Sequence, residues 1–327
     1  MARILAAPVY DVAIQTPLHP APRLSARLDN QVLLKREDLQ PVFSFKLRGA
    51  FNRVVRLSTE ARRRGVIAAS AGNHAQGLAL AAQRLGIPAQ IVMPTCTAQI
   101  KIDGVRARGA QVLLHGDTFA EALRYALELA AHEQLEFIPP YDDPYVIAGQ
   151  GTVGMELLRQ QPGQLDAVFV PVGGGSLIAG VAAYIKYLRP EVRIIGVEPQ
   201  DSNCLQAALA AGERVVLENV GRFADGVAVA QVGLHNFELC RRCVDEVITV
   251  SSDELCEAIR DIFDDTRSIV EPSGALAVAG LKRYVERERC AGAVFAAINS
   301  GANVDFDRLA DIVMRAGLRQ AMLCPAD

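Results

Sequence analysis

GVIAASAGNHAQGLALAAQRLGIPAQIVMP, residues 65–94, decides the fold. GVIAAS (65–70) is a short apolar run. AQGLALAAQRLG (75–86) then repeats apolar side chains at helical spacing and stops at Gly86. IPAQIVMP (87–94) is a second apolar run. Strand, helix, strand in that order predicts a parallel sheet with a crossover helix.

The same alternation extends outward. AQVLLHG (110–116) predicts a third strand and LEFIPP (135–140) a fourth. Between them FAEALRYALELAAHEQ (119–134) is an amphipathic helix whose start is marked by Thr118. A second series begins near Ile147, with strands predicted at LDAVFVPV (165–172), VRIIGVEP (192–199), DEVITV (245–250) and AVFAAINS (293–300). Ser251 and Glu254 have capping-box spacing, and Pro272 opens a helix over 272–288. VDFDRLADIVMRA (304–316) is the last helix. Nearly all the strands read as buried on both faces, as parallel sheets require. The expected fold is α/β, with two open, mainly parallel twisted sheets flanked by helices. The break between the series falls near Asp142–Ile147. That predicts a smaller domain, 64–145, inserted into a larger one made of 1–63 and 146–327.

Composition narrows the function classes. A chain of 327 residues exceeds one ordinary core. Half of it is apolar and 22% charged, a globular profile. A net charge of −3 gives no reason to expect a nucleic-acid partner. Seven cysteines without framework spacing suggest free thiols and a cytoplasmic protein. The N-terminus lacks the features of a signal peptide. AVFVPVGGGSLIAGVAAYIKY (167–187) has the length of a membrane span. Pro171 and three glycines in its middle favour a buried strand, a tight loop and a helix instead, so no membrane partner is expected.

Three loops have the composition to hold one ligand. In VFSFKLRGAFNRVV (42–55), Ser44 is a candidate N-cap with Lys46 in the first helical turn. Val42, Phe43 and Phe45 give an apolar setting. Desolvation and the positive end of a helix dipole both favour the neutral amine, the form that attacks an aldehyde. A plain solvated lysine fits this local sequence as well. SAGNHAQG (70–77) follows a strand and opens a helix, leaving backbone N–H groups for a carboxylate, with Asn73 as a further donor. His74 reads equally as a catalytic residue or an ordinary loop histidine. VPVGGGSLIAG (170–180) has the form of a phosphate cradle. It is not a Walker loop, and the third glycine of a dinucleotide fingerprint is replaced by Ile178. Glu198, at the end of the next strand, stands where a ribose-binding acid would, which keeps an NAD-dependent dehydrogenase in play. Ser300, in NSGAN (299–303), lies at the carboxyl end of the last strand, where ligands of open α/β sheets gather. Cys240 and Cys243 form a lone CxxC without further zinc ligands. Asp261, Asp264 and Asp265 read as a solvated helix face.

These segments, with KREDLQPVFSFKLRGA, IVMPTCTAQIK, VIAGQGT, FADGVAV and EPSGALAVAG, resemble the serine/threonine dehydratase family of fold-type II pyridoxal-phosphate enzymes across nearly the whole chain. The resemblance implies a tryptophan-synthase-β-like fold with pyridoxal 5'-phosphate between the domains. Lys46 would bond the cofactor aldehyde and later act as base. Asn73 would hydrogen-bond its 3-hydroxyl. Gly173, Gly174, Gly175, Ser176 and Leu177 would cradle its phosphate, and Ser300 would face its pyridine nitrogen. Ser70, Ala71, Gly72, Asn73 and His74 would receive the carboxylate of an amino-acid substrate. The family often has glycine where this chain has Ser176. The implied reaction is water elimination from L-threonine or L-serine, the first step toward isoleucine in biosynthetic members, by a homodimer or homotetramer. Serine racemases and hydroxyaspartate dehydratases share most of these loops. Racemases carry an acid/base serine where this chain has Ala71, which predicts elimination without efficient racemisation. Biosynthetic members continue into an isoleucine-sensing domain; the sequence ends at Asp327, so feedback by isoleucine is not expected.

Overall fold

A computed structural model describes residues 1–323. Two sheets organise it. The larger has six strands in the order β1 (Leu18–Pro20), β2 (Gln31–Arg36), β10 (Val294–Asn299), β7 (Ala167–Pro171), β8 (Arg193–Pro199), β9 (Glu246–Val250). The smaller has four: β5 (Gln111–Leu114), β4 (Ala89–Met93), β3 (Val66–Ala69), β6 (Glu136–Phe137). Every pairing is parallel except β1 with β2. The α/β expectation therefore holds. The sequence reading missed β1 and β2, which close the larger sheet at one edge.

Local chemistry explains the helix starts. Thr118 and Glu121 form a capping box ahead of Phe119–Glu133, and Ser251 with Glu254 does so ahead of Ser252–Thr266. Asp143 caps Pro144–Gln160 by accepting from the N–H groups of Tyr145 and Val146. Ser44 is not the N-cap of Lys46–Val54. Phe45 holds that position, and the Ser44 hydroxyl accepts from the Lys46 N–H at 3.3 Å. Phe43 does not join the apolar setting either: it is 53% exposed, at φ 55°. Its carbonyl is needed elsewhere, accepting from the Ala302 N–H.

The acidic run 261–265 is another correction. Asp261 is buried, paired with Lys282 and Arg27. Asp265 accepts from the backbone N–H groups of Arg23 and Leu24 at the start of the helix Pro22–Leu28. Two of the three aspartates thus tie helices together, because partners distant in sequence fold onto them.

A fully buried charge quartet anchors the Lys46 helix. Arg48 Nη1 donates to Glu156 at 2.6 Å, and Arg48 Nε and Nη2 fork onto Glu37 at 2.8 and 2.9 Å. Lys35, on β2, reaches the other Glu156 oxygen at 2.6 Å. All four side chains have no solvent exposure. Two cations and two anions cancel, which is what makes such burial tolerable. Residues two apart on a helix point to nearly opposite sides. Arg48 therefore fastens one side of the helix while Lys46 faces the other way.

Six of the seven cysteines are free thiols; Cys324 lies outside the described residues. No helix among the described residues is long and apolar enough to cross a membrane.

Candidate active site

The carboxyl ends of β7 and β10 open into a pocket. Its walls bring together Lys46, Asn73, Gly173 to Leu177 and Ser300, which lie far apart in sequence. The Lys46 segment is stitched to the end of β10 by backbone hydrogen bonds. Phe45 N–H donates to Ser300 O at 3.2 Å, and Ala302 N–H to Phe43 O at 2.9 Å. On the other side Gly77 packs against the Lys46–Leu47 backbone so closely that a Cβ there would sit 3.0 Å from Leu47 N.

Lys46 Nζ donates to Pro140 O at 3.0 Å. Burial pushes its ammonium pKa down to about 8, with Glu271 pulling the other way. Lowering the pKa gives this amine far more of the neutral form near neutral pH than an ordinary lysine has, and that form is the nucleophile for an aldehyde.

The glycine turn presents backbone donors. Among the described residues, the N–H groups of Gly173, Gly174, Gly175, Ser176 and Leu177 have no protein acceptor. They meet the N-terminus of the helix Ser176–Leu188. Gly175 adopts φ +94°, and a Cβ on Gly174 would fall 2.1 Å from Cγ of Tyr141. The turn is held from behind: Gly174 O accepts from Asn236 Nδ2 at 2.6 Å and from Gly233 N–H at 3.1 Å. A buried row of free N–H groups at a helix start is an oxyanion site.

The Ser70–His74 loop ends β3 and opens the helix Asn73–Leu85. Of its members only Asn73 lines the cavity. Ser70 Oγ accepts from the N–H groups of Gly72 and Ala75, both at 3.3 Å. The N–H groups of Ala71, Asn73 and His74 have no protein acceptor among the described residues. His74 is buried with Nε2 2.9 Å from Ile138 O. A carbonyl only accepts, so Nε2 carries the hydrogen. Burial, then the Lys46 charge, push this imidazole down to about 4, which keeps it neutral. It is a structural donor bridging to the strand-end segment after β6.

Phe45 lines the cavity beside Lys46, as the apolar setting predicted, whereas sequence reasoning assigned no role to Glu271, Ser273, Gly226 and Val227 on its wall. Glu271 is buried and accepts on one oxygen from Asn73 Nδ2 at 2.6 Å and from Ser273 Oγ at 2.7 Å. Burial, then the charge of Asp225, push its carboxyl up. The only local signal was an acid immediately before the Pro-Ser-Gly helix start. Glu198 is fully buried and each of its oxygens accepts a backbone N–H, from Leu205 and Gln206 at 2.9 Å, so the carboxylate faces protein donors rather than an open site for a ribose. Burial pushes it up to about 7. That removes the feature favouring a nicotinamide enzyme.

Comparison with known proteins agrees with this geometry. The family described as pyridoxal-phosphate dependent enzyme matches residues 9–301. The chain belongs to this family. As a pyridoxal-phosphate dependent enzyme it resembles the biosynthetic L-threonine dehydratase IlvA of Burkholderia multivorans, 54% identical over 324 residues. The match covers 98% of this chain and 64% of that protein. The Escherichia coli protein of the same name is 53% identical, with 98% and 63% covered. The chain thus spans less than two thirds of the length of these relatives. The processed form of threonine deaminase isoform 2 from Solanum lycopersicum superposes with a TM-score of 0.95 at 53% identity. There 97% of this chain and 92% of the other are covered. The cavity suits the family's cofactor: five N–H groups without an acceptor among the described residues match a phosphate, and a buried amine whose pKa is lowered to about 8 matches an aldehyde.

Proposed function

We propose that the chain eliminates water from L-threonine, and from L-serine, giving 2-oxobutanoate or pyruvate with ammonia. The observation that carries this reading is the meeting of the Lys46 amine, the glycine cradle and the Ser300 hydroxyl in one cavity. When bound, pyridoxal phosphate supplies an aldehyde for the substrate amine and a ring that accepts the electron pair of its Cα–H bond. The residues would then divide the work. Gly173 to Leu177 hold the phosphate through backbone N–H groups. Asn73 donates toward the 3-hydroxyl edge of the ring. Lys46 Nζ takes the α-proton, and burial, by lowering its pKa to about 8, raises the neutral fraction available for that role. Ser300 offers the ring nitrogen a neutral hydroxyl. A carboxylate there would hold that nitrogen protonated and draw more charge into the ring. The neutral partner favours prompt loss of the β-hydroxyl over reprotonation at Cα. The Ser70–His74 loop receives the substrate carboxylate.

The racemase alternative lacks support at one position. Ala71 has no exchangeable proton for the far side of the ring. Serine racemisation by the pure protein at a rate near that of elimination would favour the alternative. The names of the relatives support a biosynthetic role, and we further propose that this role lies in isoleucine biosynthesis, in the cytoplasm, as a homodimer or homotetramer with residues 64–145 as the smaller domain.

The test is direct. The purified protein should be yellow, and borohydride reduction followed by peptide mass mapping should place the cofactor on the peptide containing Lys46. Capture of pyridoxal phosphate by the stripped protein should quicken as pH rises through about 8, as the amine loses its proton. Lys46→Ala should lower keto-acid production by about 10²–10⁴-fold. Cofactor mapped to another lysine, or a K46A variant with full activity, would refute the reading.

A further inference from the structure

We infer that Glu271 is a positioning residue: together with Asn303 it locks the Asn73 carboxamide in the one orientation that leaves a side-chain N–H for the cavity. The inference rests on the reading that this cavity takes pyridoxal phosphate with Asn73 beside the ring.

The argument is a count of donors and acceptors. A carboxamide has two N–H groups and one carbonyl, of nearly equal size, so only its partners fix which end lies where. Asn73 Nδ2 donates to Glu271 Oε1 at 2.6 Å, and Asn73 Oδ1 accepts from Asn303 Nδ2 at 2.6 Å. Turning Asn73 over would set its oxygen against the carboxylate and its NH₂ against another NH₂. Both contacts would become repulsive. Asn303 cannot turn to relieve this. Its Nδ2 also donates to Val42 O at 2.9 Å, and its Oδ1 accepts from Gln76 Nε2 at 3.1 Å. A backbone carbonyl, which only accepts, therefore fixes the polarity of the chain Val42–Asn303–Asn73–Glu271. At its end one Asn73 N–H is committed and one is not. Asn73 lines the cavity, so the uncommitted N–H is held for an acceptor there.

Glu271 is in turn fixed by Ser273 Oγ at 2.7 Å, and the Ser273 carbonyl accepts from Ser300 Oγ at 3.3 Å. The same carboxylate thus links the two side chains proposed for the two polar edges of the ring. Glu271 Oε2 has no hydrogen bond among the described residues. A glutamine at 271 can keep its carbonyl where Oε1 lies and place its NH₂ at the unused position.

The experiment is a double-mutant cycle on the holoenzyme, read by the pyridoxal phosphate dissociation constant and the position of the visible absorption band. E271A should weaken cofactor binding about tenfold and move the band, and N303A should do the same. E271Q should recover most of what E271A loses. N73A and N73A/E271A should bind alike within about twofold, because Glu271 acts through Asn73. If E271A does not fold, as judged by circular dichroism, the N303A and N73A arm carries the same comparison. Additive losses in N73A/E271A, or an E271Q variant as impaired as E271A with the same band shift, would overturn the inference. A wild-type protein that binds no pyridoxal phosphate would instead overturn the functional reading on which it rests.

Discussion

Two loops of this molecule start from the same design and finish differently. Each leaves the carboxyl end of a parallel strand, β7 or β3, and runs into the N-terminus of a 13-residue helix. After β7 the glycine turn keeps five successive N–H groups without a protein acceptor among the described residues. After β3 the Ser70 hydroxyl takes two donors for itself and leaves those of Ala71, Asn73 and His74. The first loop has room and donors for a phosphate dianion. The second is partly self-satisfied and matches the smaller demand of a carboxylate. The number of backbone donors left unpaired sorts ligand from ligand, although the secondary structure is the same.

The largest expected effect separates the two loops outright. Gly174→Ala puts a Cβ into the Tyr141 ring and forces the turn to move. Overpacking of this kind costs about 1–3 kcal/mol, so pyridoxal phosphate affinity, measured by equilibrium dialysis, should fall roughly 10–100-fold. Unchanged affinity would remove the glycine turn from the site. A smaller effect should appear at the other loop. Ser70→Ala removes a hydroxyl that accepts two N–H groups, at about 1 kcal/mol. The KM for threonine should rise roughly fivefold while cofactor affinity holds. Equal losses in both constants would mean that the loops do not divide the ligands. The smallest effect concerns His74. With a pKa near 4 the imidazole is charged only well below neutral pH. KM measured between pH 6 and 8 should therefore show no inflection due to His74, in wild type or in His74→Gln, beyond that from other groups. A tightening of KM on acidification that H74Q abolishes would instead show a charged histidine assisting the second loop.

Much of this was legible from local chemistry. The βαβ rhythm, the Thr118 helix start, the Ser251–Glu254 capping box and the triple glycine are short-range signals, and each appears where its residues predict. What escaped depends on partners far along the chain. β2 ends in Lys35 and Arg36, charges that argue against a buried strand until Glu156 and Asp38 neutralise them. Glu271 is an unremarkable acid before a proline until Asn73, 198 positions away, donates to it. Asp261 and Asp265 read as solvated because Arg27, Lys282 and the helix Pro22–Leu28 are distant in sequence. His74 was ambiguous in the sequence because the carbonyl that accepts from it belongs to Ile138. Periodicity reports on a residue's own element, whereas the fate of a buried polar group is decided by a different one.

The quartet of Lys35, Glu37, Arg48 and Glu156 carries a consequence for how such a chain can drift. Losing any one member strands an odd charge in the dry interior beneath the reactive lysine. Replacement one residue at a time therefore passes through a damaged intermediate. Natural change at these four places should come in matched pairs, leaving a correlated signature that spans more than a hundred positions.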